Sequence, residues 1–434
     1  MRILLLGLGR ANTGVARYCI ERGDKVFLYD DNLKDLPGSA QTMIEQGTIT
    51  VHTNIDYDFA VTSPGFPLRA PIMQQLLEHD VPIIDEVEFT FRELTAPEVI
   101  AVTGTNGKST TAAMIHSVMR AAGRHIFLGG NLAPGKPFSQ ALFESKYDYY
   151  ILEVSSFQLM RIDAFRPAVA VLTNIAQDHM NWHEDMDEYR QAKVRIFENQ
   201  TKDDIAVLNH DDPVVRNLTQ DLVAQKVYFG ESAIQGAHYN GFFCFGNEQL
   251  FPFSISKLPG KHNTLNILAV VAVAMSLNID NRSLAKGIKT YHPLPHRLED
   301  CGIHNGIRYI NNSMCTNEHA AVMSFNAIPG SKVVILGGRE KGDAALNYLD
   351  LLIKEAKACI LLGENAPSIA HYFKENRYDQ YCIVHTMTEA VKQARNMAES
   401  GDSILLNPGF ASFGLFKNFE ERGEAFKHEA CKDR

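Results

Sequence analysis

Seven cysteines are scattered over 434 residues, and no two of them form a CxxC pair. That spacing gives no sign of a disulfide framework and leaves reduced thiols, the state expected of a cytoplasmic protein. No apolar run approaches the ~20 residues that a membrane-spanning helix needs. The opening Met1–Gly7 reads as a strand entering a glycine turn, not as a signal peptide. Excess basic charge is missing as well: 42 Lys and Arg face 51 Asp and Glu, for a net charge of −9. A basic face for nucleic acid is therefore not expected. Low-complexity segments and short-period repeats are also absent. What the chain has is an alternation of strand-like and helix-like runs, over a length that suits about three domains.

The most informative of these runs is Ala101-Val102-Thr103-Gly104-Thr105-Asn106-Gly107-Lys108-Ser109-Thr110-Thr111. It reads as a buried strand, Val99 to Thr103, then a glycine loop, then a helix beginning near Lys108. Loop N–H groups and a helix N-terminus that converge in this way suit a polyphosphate. Lys108 adds a cation for the β- and γ-phosphates, and Ser109 or Thr110 offers a hydroxyl to Mg²⁺. A GxxxxGK[ST] loop would need glycine at 102, where this chain has Val102. The plainer alternative is an Asn-Gly turn between a strand and a helix. We read the loop as an ATP site.

The chain divides into three segments, about 1–90, 91–295 and 296–434. The expected class is α/β: a Rossmann-like N-terminal domain, a central P-loop-type ATPase domain on a parallel sheet, and a C-terminal Rossmann-like domain. The first segment opens with strand Arg2–Leu6, Gly7-Leu8-Gly9, a helix to about Arg22, and a strand ending at Asp30. That is the start of a dinucleotide-type unit. The third glycine would fall at 12, which is Asn12, so a dehydrogenase is a weak alternative. A Thr62-Ser63-Pro64-Gly65 turn could add an anion contact or be a simple turn. In the second segment, Glu153 stands at the carboxyl end of strand Tyr149–Glu153, where doubly wound sheets place ligands. A carboxylate there can hold Mg²⁺. Asp178-His179 should reach the same crevice, and a helix from about Met186 to Glu198 carries Lys193. His179 and His183 lie four apart but lack Cys or Glu partners, which weighs against zinc. The third segment has strand–glycine ends at Gly337-Gly338 and Asn407-Pro408-Gly409, implying a second ligand face or a structural cap.

Five elements together resemble the Mur ligases across essentially the whole chain. They are Gly104-Thr-Asn-Gly-Lys-Ser109, Glu153-Val-Ser-Ser-Phe-Gln158, Asp178-His-Met180, Leu294-Pro-His-Arg297 and Lys417-Asn-Phe-Glu-Glu-Arg-Gly423. The Ser-Ser-Phe-Gln and Lys-Asn-Phe-Glu elements point to the branch that joins D-glutamate to UDP-N-acetylmuramoyl-L-alanine. The resemblance implies ATP-dependent amide formation through an acyl phosphate. It also implies two Mg²⁺ ions held by Ser109, Glu153, His179 and a carbamylated Lys193, with Lys108, Glu153, His179 and Lys193 as the catalytic set. For ATP it implies Gly104, Thr105, Asn106, Gly107, Lys108, Ser109, Thr110, Asn263 and Arg297. For the UDP-sugar it implies Gly7, Gly9, Arg10, Ala11, Asp30, Ser63, Asn131 and Gln158. For the amino acid it implies Thr316, Lys341, Ser412, Phe413 and Phe419. A cytoplasmic monomer is expected, with no membrane or nucleic-acid partner.

Departures from the family pattern gather in the third segment. Asn312 and Met314 stand where the family has aspartate and lysine, Asn407 replaces serine and Gly414 replaces aspartate. Ala11-Asn12 replaces a Ser/Thr-Gly pair. A paralogue with another acceptor, a folylpolyglutamate-synthase-like ligase and a non-catalytic nucleotide-binding relative remain open readings.

Overall fold

Short aliphatic runs, each ending in glycine or a polar turn, pair into three sheets in the computed structural model of the chain. The structure describes residues 1–30, 38–53, 55–67, 69–132, 135–178, 182–256, 258, 260–339, 345–412 and 414–432. The first sheet comprises β1 (Arg2–Leu6), β2 (Lys25–Tyr29), β3 (Ile49–Val51), β4 (Phe59–Thr62) and β5 (Ile83–Asp85). They run parallel in the order β3-β2-β1-β4-β5. Ile3, Leu4, Leu5 and Leu6 are all fully buried, because a parallel sheet is covered on both faces. Alternation splits them: Ile3 and Leu5 meet Val15 and Cys19 of helix Arg10–Arg22, while Leu4 and Leu6 meet Ile72 and Leu76 of helix Pro71–Glu78.

The second sheet comprises β6 (Val99–Thr103), β7 (Ile126–Gly130), β8 (Tyr149–Glu153), β9 (Val169–Leu172), β10 (Ile205–Asn209), β11 (Gln225–Phe229), β12 (Ala237–Tyr239), β13 (Phe242–Phe245) and β14 (Glu248–Pro252). Its order is β14-β13-β12-β11-β10-β9-β6-β8-β7, parallel except for the β12–β13–β14 meander. The third comprises β15 (Glu299–His304), β16 (Ile307–Asn311), β17 (Lys332–Leu336), β18 (Ala358–Leu362), β19 (Tyr381–Val384) and β20 (Ser403–Leu406). Its order is β15-β16-β20-β17-β18-β19, with only β15–β16 antiparallel. The first two sheets belong to one compact unit, Met1–Lys257 with Thr264–Tyr291, and the third to another, Leu258–Asn263 with His292–Arg434. Among the described residues no helix is long and apolar enough to cross a membrane.

Within the first unit, β1 is flanked by β2 and β4, and β6 by β8 and β9. In both cases the chain reverses its direction of winding at the central strand, which opens a crevice at the strand's carboxyl end. Helix Glu86–Glu93 passes from the first sheet to the second and carries buried carboxylates across the junction. Asp85 caps it by accepting from Val87 N at 3.0 Å, and Glu86 accepts from Ser139 N. Burial pushes Asp85 up to about 8 and Glu86 up to about 7. Glu88, with no exposed surface, accepts the N–H groups of Asp163, Ala164 and Phe165 at 3.0, 2.8 and 2.8 Å.

Glu88→Ala should therefore cost about 3 kcal/mol, since it strands three N–H donors that the carboxylate satisfies. Urea denaturation reads this as a lowered midpoint; an unchanged midpoint would contradict the fastening role.

Candidate active site

At Thr103 the strand ends, and the backbone turns at once because Gly104 adopts φ +144. An added Cβ there would lie 1.9 Å from Thr173 Oγ1. Gly107, at φ +84, caps helix Lys108–Ala121, and a Cβ on it would lie 2.2 Å from Asn266 Oδ1. Only glycine fits both turns. The loop is clamped from the neighbouring strand end: Thr173 Oγ1 and Asn174 Nδ2 donate to Asn106 O at 2.6 and 3.0 Å, and Asn106 N donates to Asn174 Oδ1 at 2.9 Å. Thr105 Oγ1 donates to Ala176 O at 3.0 Å and meets Ala176 N and Tyr189 Oη, each at 2.9 Å. Thr173, Asn174 and Tyr189 were not singled out in the sequence. A polar pair directly after β9 was the available signal.

Lys108 folds back on this loop, donating to Gly104 O at 2.9 Å and Thr105 O at 2.8 Å. Lys193, 1 % exposed, donates to the same Gly104 O at 2.8 Å and sits 4.5 Å over the Tyr189 ring. Helix Met186–Val194 delivers it, started by Asp185, whose carboxylate accepts from Asp187 N and Glu188 N. Burial first, then the Lys108 charge, drives Lys193 well below the usual lysine range, against the opposing pull of Asp178 and Glu153. Glu153 is 5 % exposed, and its Oε2 has no hydrogen-bond partner among the described residues. A buried carboxylate oxygen left in that state is suited to a cation. Ser109 and Thr110 are buried in the first turn of the helix. His179 lies outside the described residues.

The first sheet forms a cavity of about 300 Å³ lined by Gly7, Leu8, Gly9, Asp30, Ser63, Gly65, Phe66 and Pro67. Asp30 fixes its floor by accepting from Leu8 N at 3.0 Å. Asn12, which interrupts the expected glycine pattern, is fully buried and donates to Gly7 O at 2.8 Å and Val61 O at 3.1 Å. Its amide thus fastens the loop from beneath, a role the pattern did not signal. Arg10 is exposed and reaches Gly135 O at 3.4 Å, while Ala11 O accepts from Ser139 Oγ at 2.8 Å. Asn131 stands beside Glu153, donating its N–H to Glu153 O at 2.8 Å. Gln158 is fully buried: its Oε1 accepts from Ser155 N at 3.0 Å and its Nε2 faces Asp85 Oδ1 at 3.4 Å.

In the second unit Arg297 donates to Met314 Sδ at 3.1 Å. Asn263 is buried beside His262, whose ring burial and the Arg297 charge lower to about 4. Asn312 accepts from Leu298 N at 3.1 Å and donates to Asn407 Oδ1 at 2.8 Å. Asn407 Nδ2 in turn donates to Ala321 O and contacts Tyr348 Oη. Two of the residues that depart from the family pattern, Asn312 and Asn407, therefore belong to one neutral, satisfied amide network. Half-buried Thr316 precedes helix Glu318–Ala327, Ser412 is 6 % exposed, and Phe419 packs edge-on against His296. Arg422 is buried and donates to Ser313 O at 2.8 Å and Phe410 O at 3.2 Å, which makes it a fastener of this unit. Lys341 and Phe413 lie outside the described residues.

Residues 102–274 match the family model of the Mur ligase middle domain. The UDP-N-acetylmuramoylalanine–D-glutamate ligase of Alkaliphilus metalliredigens is 33% identical, with 98% of this chain and 97% of that protein aligned. The ligase of the same name from Geobacillus sp. is 34% identical, over 98% of this chain and 96% of its own length. The solved UDP-N-acetylmuramate-alanine ligase of Thermotoga maritima aligns over 100% of this chain and 99% of its own, with a TM-score of 0.63 and 18% identity. That likeness is one of fold.

Gly104→Ala should weaken nucleotide binding by about 100-fold or more, since a strained φ and a clash with Thr173 together cost about 3 kcal/mol. Calorimetry with a non-hydrolysable ATP analogue checks this; retained affinity would mean that the loop does not hold the nucleotide.

Proposed function

The chain belongs to the Mur ligase family, and we propose that it joins D-glutamate to UDP-N-acetylmuramoyl-L-alanine, converting ATP to ADP and phosphate, in peptidoglycan precursor synthesis. The observation that carries this reading is the convergence of Lys108 and Lys193 on Gly104 O, with buried Glu153 close enough to act on the Lys193 charge.

In the proposed reaction the free carboxylate of the muramoyl substrate attacks the γ-phosphorus, and ADP leaves. The amine of D-glutamate then attacks the acyl-phosphate carbonyl, and phosphate departs from the tetrahedral intermediate. Phosphoryl transfer asks mainly for positioning and charge neutralisation. Lys108 is placed to exchange its carbonyl acceptors for β- and γ-phosphate oxygens, while the N–H groups that open helix Lys108–Ala121 would cradle them. The donor set fits Mg²⁺, a hard cation that takes oxygen ligands: Ser109 and Glu153 would hold one ion, and His179 with carbamylated Lys193 a second. When bound, such ions supply charge neutralisation on the transferring phosphoryl oxygens. Lys193 is suited to carbamylation because burial lowers its hold on a proton, favouring the unprotonated amine that reacts. Its nitrogen bonds to the carbon of CO₂ and a proton is lost, so that an anion takes the place of the amine beside Lys108.

The cavity at Gly7, Gly9, Asp30 and Ser63, with Arg10, Ala11, Asn131 and Gln158, is our site for the UDP-sugar. Asn263 and Arg297 are assigned to the nucleoside. Thr316, Lys341, Ser412, Phe413 and Phe419 are assigned to D-glutamate, whose two carboxylates want a cation and several donors. The three segments 1–90, 91–295 and 296–434 are the corresponding proposed domains. We place the enzyme in the cytoplasm as a monomer, acting without a nucleic-acid or membrane partner. The neutral network of Asn312, Asn407 and Tyr348 favours one second reading, a ligase of this family with a different amino-acid acceptor.

Phosphate release from ATP with UDP-N-acetylmuramoyl-L-alanine, Mg²⁺ and a panel of D- and L-amino acids separates the two. Release should depend on D-glutamate. Dependence on another amino acid would establish the second reading, and no release with any would overturn both.

A further inference from the structure

Arg69 follows by two residues Pro67, which lines the UDP-sugar cavity, yet its side chain bonds residues at and just before helix Met186–Val194, which carries Lys193. Arg69 donates to Trp182 O at 2.9 Å, Glu184 Oε1 at 3.1 Å and Glu188 Oε1 at 2.9 Å. Glu188 is thereby committed at both oxygens: Oε2 accepts from Glu184 N at 2.8 Å and faces His183 Nδ1 at 3.3 Å. His183 is buried, and its Nε2 meets Ser156 Oγ at 2.8 Å. A proton on Nδ1, toward the carboxylate, leaves Nε2 to accept from the serine hydroxyl. Ser156 stands three residues beyond Glu153. Next to it Phe157 stacks on Trp182, with centroids 5.4 Å apart and planes 29° apart.

Glu188 also opens the helix that delivers two phosphate-site contacts. At the next residue Tyr189 Oη meets Thr105 Oγ1 at 2.9 Å, and further on Lys193 reaches Gly104 O at 2.8 Å. The His183 ring packs edge-on against Tyr189, with centroids 5.2 Å apart. A continuous chain of contacts thus runs from Arg69 through Glu188 and His183 to the loop that holds the phosphates and to the strand end that bears Glu153. Arg69 itself is 47 % exposed at the side chain, so as a surface ion pair it adds little to stability. Three directed hydrogen bonds from one guanidinium do define a geometry.

We propose that Arg69 and His183 are positioning residues: they couple occupancy of the UDP-sugar cavity to the phosphate loop through helix Met186–Val194, so that each ligand tightens binding of the other. The inference rests on the proposed function, since it takes the two ligands from that reading. Coupling between sites is reciprocal, and factors of about 5 to 150 are usual.

The test uses the full chain and its single tryptophan, Trp182, which sits inside the bridge. Its fluorescence reports titrations with UDP-N-acetylmuramoyl-L-alanine and with a non-hydrolysable ATP analogue, each alone and in the presence of the other, and calorimetry checks the affinities. The unaltered chain should show mutual tightening of about 5-fold or more. Arg69→Ala should leave each separate affinity within about 2-fold and bring the coupling to within about 2-fold of unity, while Arg69→Lys keeps part of it. His183→Gln should act in the same direction, and thermal melting verifies its fold. Binding of both ligands with coupling unchanged in Arg69→Ala, or with none in the unaltered chain, overturns the bridge alone. Failure of either ligand to bind overturns the proposed function and the bridge with it.

Discussion

Two lysine nitrogens share the carbonyl oxygen of Gly104, Lys108 from the following helix and Lys193 from a helix some eighty-five residues further on. Two unit charges about 5 Å apart repel by about 3 kcal/mol at an effective dielectric near 20. Burial eases such a conflict here by withdrawing water from Lys193 and lowering its hold on a proton. The surrounding architecture keeps that arrangement in place. Gly104 turns the chain where no Cβ could fit, Thr173 and Asn174 clamp the loop, and Tyr189 ties it to the helix that delivers Lys193. A site that holds a buried lysine and a buried carboxylate oxygen without a partner among the described residues is less stable than an apolar one of the same size. Such departures from good packing gather where chemistry is done.

The same topological device occurs at two sheets. Each has a central strand flanked by strands reached in opposite directions, and each opens a crevice at the carboxyl end. At β1 the loop spans Gly7–Gly9, and its floor is fixed by Asp30 and Asn12. At β6 it spans Gly104–Gly107, and both of its neighbours contribute: Glu153 from β8, and the Thr173-Asn174 clamp after β9. The buried carboxylates of helix Glu86–Glu93 fasten one sheet's layer to the next.

How much of this was legible in the sequence follows from what each feature depends on. Strand–glycine–helix junctions are local, and the sequence placed the loop at Gly104, the carboxylate at Glu153 and the cavity at Gly7 and Asp30. The helix bearing Lys193 was expected to run to about Glu198, and the α-helical part ends at Val194, the rest being a tighter 3₁₀ turn, Arg195–Phe197. Contacts between distant segments carry no local signal. Asn12 looked like a flaw in a glycine pattern and is a three-carbonyl fastener; Asn312 looked like a lost charge and is one end of a satisfied amide pair with Asn407. Both readings needed to know which carbonyls or amides the fold brings alongside. Arg69, an unremarked cation in a turn, is of the same kind.

The central claim is that burial readies Lys193 to take up CO₂. Carbon NMR of the protein equilibrated with ¹³C-labelled bicarbonate tests it most directly. A carbamate resonance that is present in the unaltered chain, absent from Lys193→Arg and retained in a surface-lysine variant such as Lys392→Arg is the predicted result. No such resonance, or one that survives Lys193→Arg, would contradict it.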